Sequence, residues 1–379
     1  MNNVSPLRCL SQIFLPKTTK ATAAVPSAPT KDEIIQNVVD QFKKKSNQNK
    51  FRRQRLSYKI TVSRLAKAGH FSSVRDILDH QKVYPDIKDE HFTARLICLY
   101  GEAKMSDNAL QLFDEMPDLN CPRTVLSFNA LLAAYFPTKK FDKIVELFQE
   151  LPGKLSIKPN VISYTSVIKA FCEMGSFDSA ISMLEDMEKN DVAPNATTFG
   201  TLLDAFYVNG RLSEAENIWN LMEEKEVIPD LRCYNSRLYG MVKEKRLSEA
   251  MEVFNELNDK CLKPNTCTYN CLIKGFVTEG NLKETKKWYT TMLESGCSPN
   301  PPTFSILISF ACDNADIDFA YELCKRSFNP KKKLSTKVIK KVINNLVEQS
   351  KVDKARELLE LDNSNRKLLL DKLIPSAVD

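Results

Sequence analysis

A single spacing constrains this chain more than any other property. Aromatic residues stand at Phe128, Tyr164, Phe199, Tyr234, Tyr269 and Phe304, separated by 36 residues once and by 35 thereafter. Thirteen residues behind each lies a second apolar column: Phe141, Phe177, Leu212, Leu247, Leu282 and Ile317. A mostly small column follows (Ile144, Ala180, Ala215, Ala250, Thr285, Ala320), then a large one (Phe148, Leu184, Trp219, Phe254, Tyr289, Cys324). Prolines 159, 194, 229, 264 and 299 punctuate the period. A fixed period of this size means a stack of supersecondary units, because one such unit cannot bury its apolar face alone.

The frame extends both ways and predicts nine units: 55–89, 90–124, 125–160, 161–195, 196–230, 231–265, 266–300, 301–335 and 336–370. Each reads as two helices. Leu212, Ala215 and Trp219 fall at i, i+3 and i+7, one apolar helix face. Gly175, Gly210 and Gly280 supply a residue tolerant of positive φ between the helices. Ser163, Thr198, Thr268 and Thr303 are expected to be N-caps after the proline turn. Upstream, Thr30 and Glu33 fit a capping box, and Ile35, Val38, Val39 and Phe42 form a stripe that would cover the first unit. The expected organisation is a leader over 1–30, a capping helix and basic segment over 31–54, the repeats over 55–370, and a tail over 371–379. The expected fold is an all-α, right-handed superhelical solenoid.

Composition limits function. Ten glycines in 379 residues suit helices better than turn-rich sheets. No run of 18 or more apolar residues is present to span a membrane. Eleven cysteines without a CxxC pair, with only three histidines, argue for reduced core thiols rather than a zinc site or disulfide framework. Cys172 and Cys312 share an apolar column. Cys267 and Cys271, at i and i+4, have no third ligand nearby. Trp219 and Trp288 fall on second helices and read as core or rim. No catalytic residue, metal site, cofactor or small-molecule substrate is expected: no Walker loop, GxSxG or deaminase signature occurs.

Charge is unevenly placed. The first 31 residues carry Arg8, Lys17, Lys20 and Lys31, many hydroxyls and no acid, the composition of an organelle transit peptide. Arg8 leans towards a mitochondrial matrix address, with the plastid as the alternative. Residues 41–75 hold eleven bases and no acid, among them Lys43, Lys44, Lys45, Lys50, Arg52, Arg53 and Arg55. Residues 325–341 hold eight, among them Lys331, Lys332, Lys333, Lys337, Lys340 and Lys341. These three segments carry 23 cations against a whole-chain charge of +6, which leaves −17 for the remainder. Clustered cation of this kind matches a polyanion, so the named lysines and arginines are RNA-backbone candidates.

The repeat "VISYTSVIKAFCEMGSFDSAISMLEDMEKNDVAPN" (161–195) resembles the pentatricopeptide repeat nearly end to end, and the 35-residue frame does not slip as a 34-residue tetratricopeptide frame would. The resemblance covers residues 55 to about 360 and implies an RNA-binding protein of an organelle. It also implies base reading by two side chains per unit, the residue after the aromatic and the unit's last residue. Carried over, the pairs are Asn129/Asn160, Thr165/Asn195, Asn235/Asn265 and Asn270/Asn300. Asn/Asn would take a pyrimidine and Thr/Asn an adenine. Gly200/Asp230 should be silent, and Lys59/Asp89, Ala94/Thr124, Ser305/Ser335 and Lys340/Leu370 fall outside the code. Each Asn has an alternative reading as a local backbone cap.

The stretches "ARLICLYGEAKMSDNALQLFDEMP", "TVLSFNALLAAY" and "VELFQELPGKLSIKPN" resemble a narrower group, the pentatricopeptide proteins of the plant mitochondrial small ribosomal subunit. That resemblance implies ribosomal RNA and mitochondrial ribosomal proteins as partners. RNA would be gripped through phosphates and shape, with few bases read. The alternatives are a transcript-specific stabilisation or translation factor, a peptide-binding solenoid and, more distantly, an enzyme.

Overall fold

The computed structural model describes residues 30–328 and 334–361. The leader, Lys331, Lys332, Lys333, Leu370 and the tail lie outside these. Among the described residues the secondary structure is helical throughout, twenty α-helices and three short 3₁₀ turns. The chain divides into two compact units, one ending at Thr198 and one beginning at Phe199.

The first unit opens with the cap helix Lys31–Ser46. Thr30 accepts from the Glu33 amide, and the Glu33 carboxylate accepts from the Thr30 amide, closing the expected box. Its stripe Ile35, Val38, Val39 and Phe42 is buried. Helical hairpins follow in the predicted register: Arg55–Lys67 with Phe71–Asp79, Glu90–Glu102 with Ser106–Glu115, Val125–Tyr135 with Phe141–Leu155, and Val161–Met174 with Phe177–Lys189. First helices of neighbouring hairpins pack on one another, as Glu90–Glu102 does on Val125–Tyr135. The approach is close because Gly101 has no side chain; a Cβ there would sit 2.4 Å from the Ala134 Cα.

In the second unit the hairpins pair Leu212–Glu224, Leu247–Asp259, Leu282–Glu294, Ile317–Ser327 and Val352–Leu361 with the first helices that precede them. Leu231–Lys243 packs on Thr266–Thr278, Thr266–Thr278 on Pro301–Asp313, and Pro301–Asp313 on Thr336–Glu348. The small column Ala215, Ala250, Thr285 and Ala320 is fully buried, which lets the two helices of a hairpin meet. Trp219 and Trp288 are buried as well, so both belong to the core.

The turn between paired helices is set by one left-handed residue per hairpin. It is Gly69, Gly175, Gly210 and Gly280 in four units, and Lys104, Lys139, Lys245, Ala315 and Ser350 in the others. A second left-handed residue ends most second helices, at Asn120, Ser156, Asp191, Glu226, Cys261 and Gly296. The backbone therefore repeats even where glycine does not, because stacking enforces a geometry that a side chain disfavours.

Candidate nucleic-acid interface

The helix starts correct one expectation. The N-caps are Asn160, Asp230, Asn265 and Asn300, and Ser163, Thr268 and Thr303 stand three residues inside their helices. Asn195 likewise accepts from the Thr197 and Thr198 amides, at 3.0 and 3.1 Å. At Asn160 and Asn265 the carboxamide reaches the second and third amides of the helix, at Asn300 only the third because Pro302 has no N–H, and in all three the hydroxyl reaches back to the cap's own N–H. Sequence reading misplaced the cap because either residue type can serve and the period does not choose between them. Each of these unit-terminal asparagines thus caps its helix through Oδ1.

The same carboxamides meet the other proposed reader. Asn129 donates from Nδ2 to Asn160 Oδ1 at 3.0 Å, Asn270 to Asn300 at 3.2 Å, and Asn235 to Asn265 at 3.5 Å. Thr165 does not contact Asn195 in this way. It donates to the Val161 carbonyl at 2.6 Å and lies 3.0 Å from the Thr198 hydroxyl. The aromatic residue preceding each reader is buried at Phe128, Tyr164, Tyr234 and Tyr269. Burial of that ring pins the helix phase and leaves the next side chain half-exposed.

In three units outside the expected code these positions have other neighbours. At 90–124, Glu90 takes the Thr124 amide, the Thr124 hydroxyl and the Ser127 amide at 2.8 to 3.1 Å, while Ala94 is buried. Burial works against ionisation of Glu90, but these bonds outweigh it and hold its carboxyl below the usual range. At 55–89, Lys59 pairs with Glu102 at 2.8 Å. At 196–230, Cys233 replaces the hydroxyl residue, and a Cβ on Gly200 would lie 3.3 Å from its sulfur. Burial pushes the Cys233 thiol up to about 12, so it stays neutral.

The basic candidates separate into two groups. Arg52 is not a surface cation: it is buried, bonded to the Ser46 and Asn47 carbonyls and to Asp86 at 2.7 Å, with its guanidinium over the Tyr84 ring. Lys43 pairs with Asp76 and Lys341 with Asp313, both at 2.6 Å. Lys45 is half-buried. Lys44, Lys50, Arg53, Arg55, Lys337 and Lys340 are exposed. The charge run did not reveal this division, because the acids that neutralise Arg52 and Lys43 come from about 33 residues further on, one unit away.

Sequence reading also passed over Leu56 and Ile162. Each is the second residue of a first helix, and they are 68% and 57% exposed. Ile162 falls out of phase with the buried Ser163, Tyr164, Val167 and Ile168, which was the available signal. An apolar side chain beside the polar reader offers a surface on which a base plane can rest.

Cys267 is exposed and Cys271 buried on one helix. The neighbouring Cys271 thiol draws the Cys267 pKa below the usual thiol value. Among the described residues no three His, Cys, Asp or Glu side chains are placed to hold a metal ion, and no helix is long and apolar enough to cross a membrane. A cleft lined by Glu216, Arg237, Met241 and Arg246 is matched internally: Arg237 bonds Glu216 at 2.6 Å and lies over the Trp219 ring.

Helical hairpins repeating at 35 residues, four of them with a polar pair on the first helix and the unit's last residue, define a helical-repeat protein. The PPR repeat family model matches residues 123–173, 159–207, 229–278 and 264–313, and a second PPR repeat model matches 95–121 and 197–227, together more than half of the chain. The chain belongs to the pentatricopeptide repeat family. It is similar to the small ribosomal subunit protein mS78 (rPPR3a) of Arabidopsis thaliana, 44% identical over 49% of each chain. It is also similar to mS79 (rPPR3b) of the same plant, 46% identical over 44% of this chain and 45% of the relative. The chain thus spans about half the length of these curated relatives. Among solved structures it aligns with the pentatricopeptide repeat protein PPR10 from maize at 16% identity and a TM-score of 0.48, over 89% of this chain and 57% of that one.

Proposed function

We propose that this chain is a non-catalytic RNA-binding component of the small subunit of a plant mitochondrial ribosome, in contact with ribosomal RNA and neighbouring ribosomal proteins. The observation that carries the reading is the 44% and 46% identity to two proteins named as components of a small ribosomal subunit. The acid-free leader composition supports a matrix address.

The grip is mainly electrostatic. Lys44, Lys50, Arg53 and Arg55 at one end, and Lys337 and Lys340 at the other, contact phosphates without reading sequence. Lys331, Lys332 and Lys333 add to the second group. The pairs Asn129/Asn160, Thr165/Asn195, Asn235/Asn265 and Asn270/Asn300 add local base contacts. At about 1–3 kcal/mol for each well-read base, so few pairs cannot select one site from a transcriptome. They can set register on an RNA that assembly already presents.

Sedimentation of mitochondrial extract after a high-salt wash tests this. The protein is expected to remain in the small-subunit peak. Its departure from that peak with a single messenger would establish a transcript factor instead.

A further inference from the structure

In the three units with an asparagine reader, a hydroxyl from the next unit touches the reader. Ser163 Oγ donates to Asn129 Oδ1 at 2.6 Å, Thr268 Oγ1 to Asn235 Oδ1 at 2.7 Å, and Thr303 Oγ1 to Asn270 Oδ1 at 2.7 Å. Each hydroxyl also accepts the N–H of its own N-cap, from Asn160 at 3.2 Å, Asn265 at 3.1 Å and Asn300 at 3.0 Å. The single hydroxyl hydrogen has two acceptors within reach, the reader's Oδ1 at 2.6 to 2.7 Å and the unit-terminal Oδ1 at 2.8 to 3.3 Å, and in each unit the shorter contact is the one to the reader.

The consequence is a defined polarity. With Oδ1 held by the hydroxyl, the reader's Nδ2 must face the unit-terminal asparagine. One Nδ2 hydrogen is used there, and the second is left for a ligand. The unit-terminal Oδ1 is occupied by helix amides and by the reader; for Asn160 these are the Ile162 and Ser163 amides and Asn129 Nδ2. Its Nδ2 therefore also faces outwards. The pair presents chiefly donors, which complement the carbonyl oxygens on a pyrimidine edge.

The threonine unit reaches the opposite sense by another route, through its own helix backbone. Thr165 commits its hydrogen to Val161 O, so towards Thr198 it can only accept. It offers its remaining lone pair outwards, which complements an exocyclic amine. Where no reader exists, the relay is missing. Ser127 donates to the Thr124 carbonyl opposite Ala94, and Cys233 brings a neutral thiol opposite Gly200.

We infer that Ser163, Thr268 and Thr303 are positioning residues that set the hydrogen-bonding polarity of the asparagine base reader in the preceding unit, and so its base preference. The inference rests on the base-contact part of the proposed function. It assigns specificity to a third, buried side chain that never touches RNA.

The test uses the full chain and a pool of single-stranded RNA with random sequence, retained on immobilised protein and sequenced. Thr268→Val removes the hydroxyl at nearly constant volume. Preference at the one nucleotide read by Asn235/Asn265 is expected to fall about three- to tenfold, the worth of one hydrogen bond. Preferences at other nucleotides and total RNA retained are expected to stay. Thr268→Ser should preserve the wild-type preference. Should Thr268→Val fail to fold, a gain-of-function pair decides. Gly200→Asn with Cys233→Thr is expected to create a preference at a formerly silent nucleotide, and Gly200→Asn alone is not. The inference is overturned if Thr268→Val lowers thermal stability but keeps the base preference, if Gly200→Asn alone gains as much as the double variant, or if wild type retains RNA with no base preference. Failure of wild type to retain any RNA would overturn the proposed function itself.

Discussion

At the scale of single residues, charge and reactivity depend on partners that lie one unit away. Arg52 belongs to a run of surface-like cations, yet it joins the cap segment to Asp86 and to two carbonyls. Arg52→Ala is expected to cost about 3 kcal/mol in chemical unfolding, since it strands a partner carboxylate and two carbonyls. Exposed Lys44→Ala should change stability by less than about 0.5 kcal/mol. Cys267 gives a second residue-scale outcome. The neighbouring Cys271 thiol lowers its pKa, which raises its thiolate fraction above that of an ordinary thiol. Its alkylation rate should level off at a lower pH than that of an ordinary thiol, and Cys271→Ala should move the midpoint upwards because the neighbour that lowers the pKa is gone.

Elements in this fold are specified by their ends. Asn265 satisfies two helix amides, and Asn265→Ala is expected to lose about 1 kcal/mol of stability by the ordinary worth of an N-cap. The hairpin turn offers the reverse effect. Ala315 holds φ near +57°, and Ala315→Gly should raise stability by about 1 kcal/mol, measurable as a shift in the unfolding midpoint. Glu90 makes one helix end pH-dependent. Its folded-state pKa lies below the ordinary 4.5, so its stabilisation is present above that value and is lost as pH falls through the folded pKa. Glu90→Gln should lower the melting temperature at neutral pH and flatten the acid limb of stability.

For the whole molecule, the relevant observable is salt dependence. Each phosphate contact on a single strand contributes roughly 0.7 to the slope of log affinity against log salt. Replacing Lys44, Lys50, Arg53 and Arg55 by Gln should therefore reduce that slope by up to about 3, across all RNA sequences. Adding Lys43→Gln should change it little, because that ammonium already faces Asp76. An unchanged slope in the fourfold variant would show these residues to be a solvated face. What the sequence alone determined was the period, the hairpin register, the buried columns and the register positions of the readers, because all follow from apolar spacing and stacking enforces them. Tertiary structure decided which lysines are free, that Asn160 rather than Ser163 caps its helix, and which atoms of each reader remain available. The cap turns on which of two nearby polar residues reaches amides two and three positions on, and the other facts on partners about 30 residues away; a one-dimensional pattern carries the period of such partners but not their geometry.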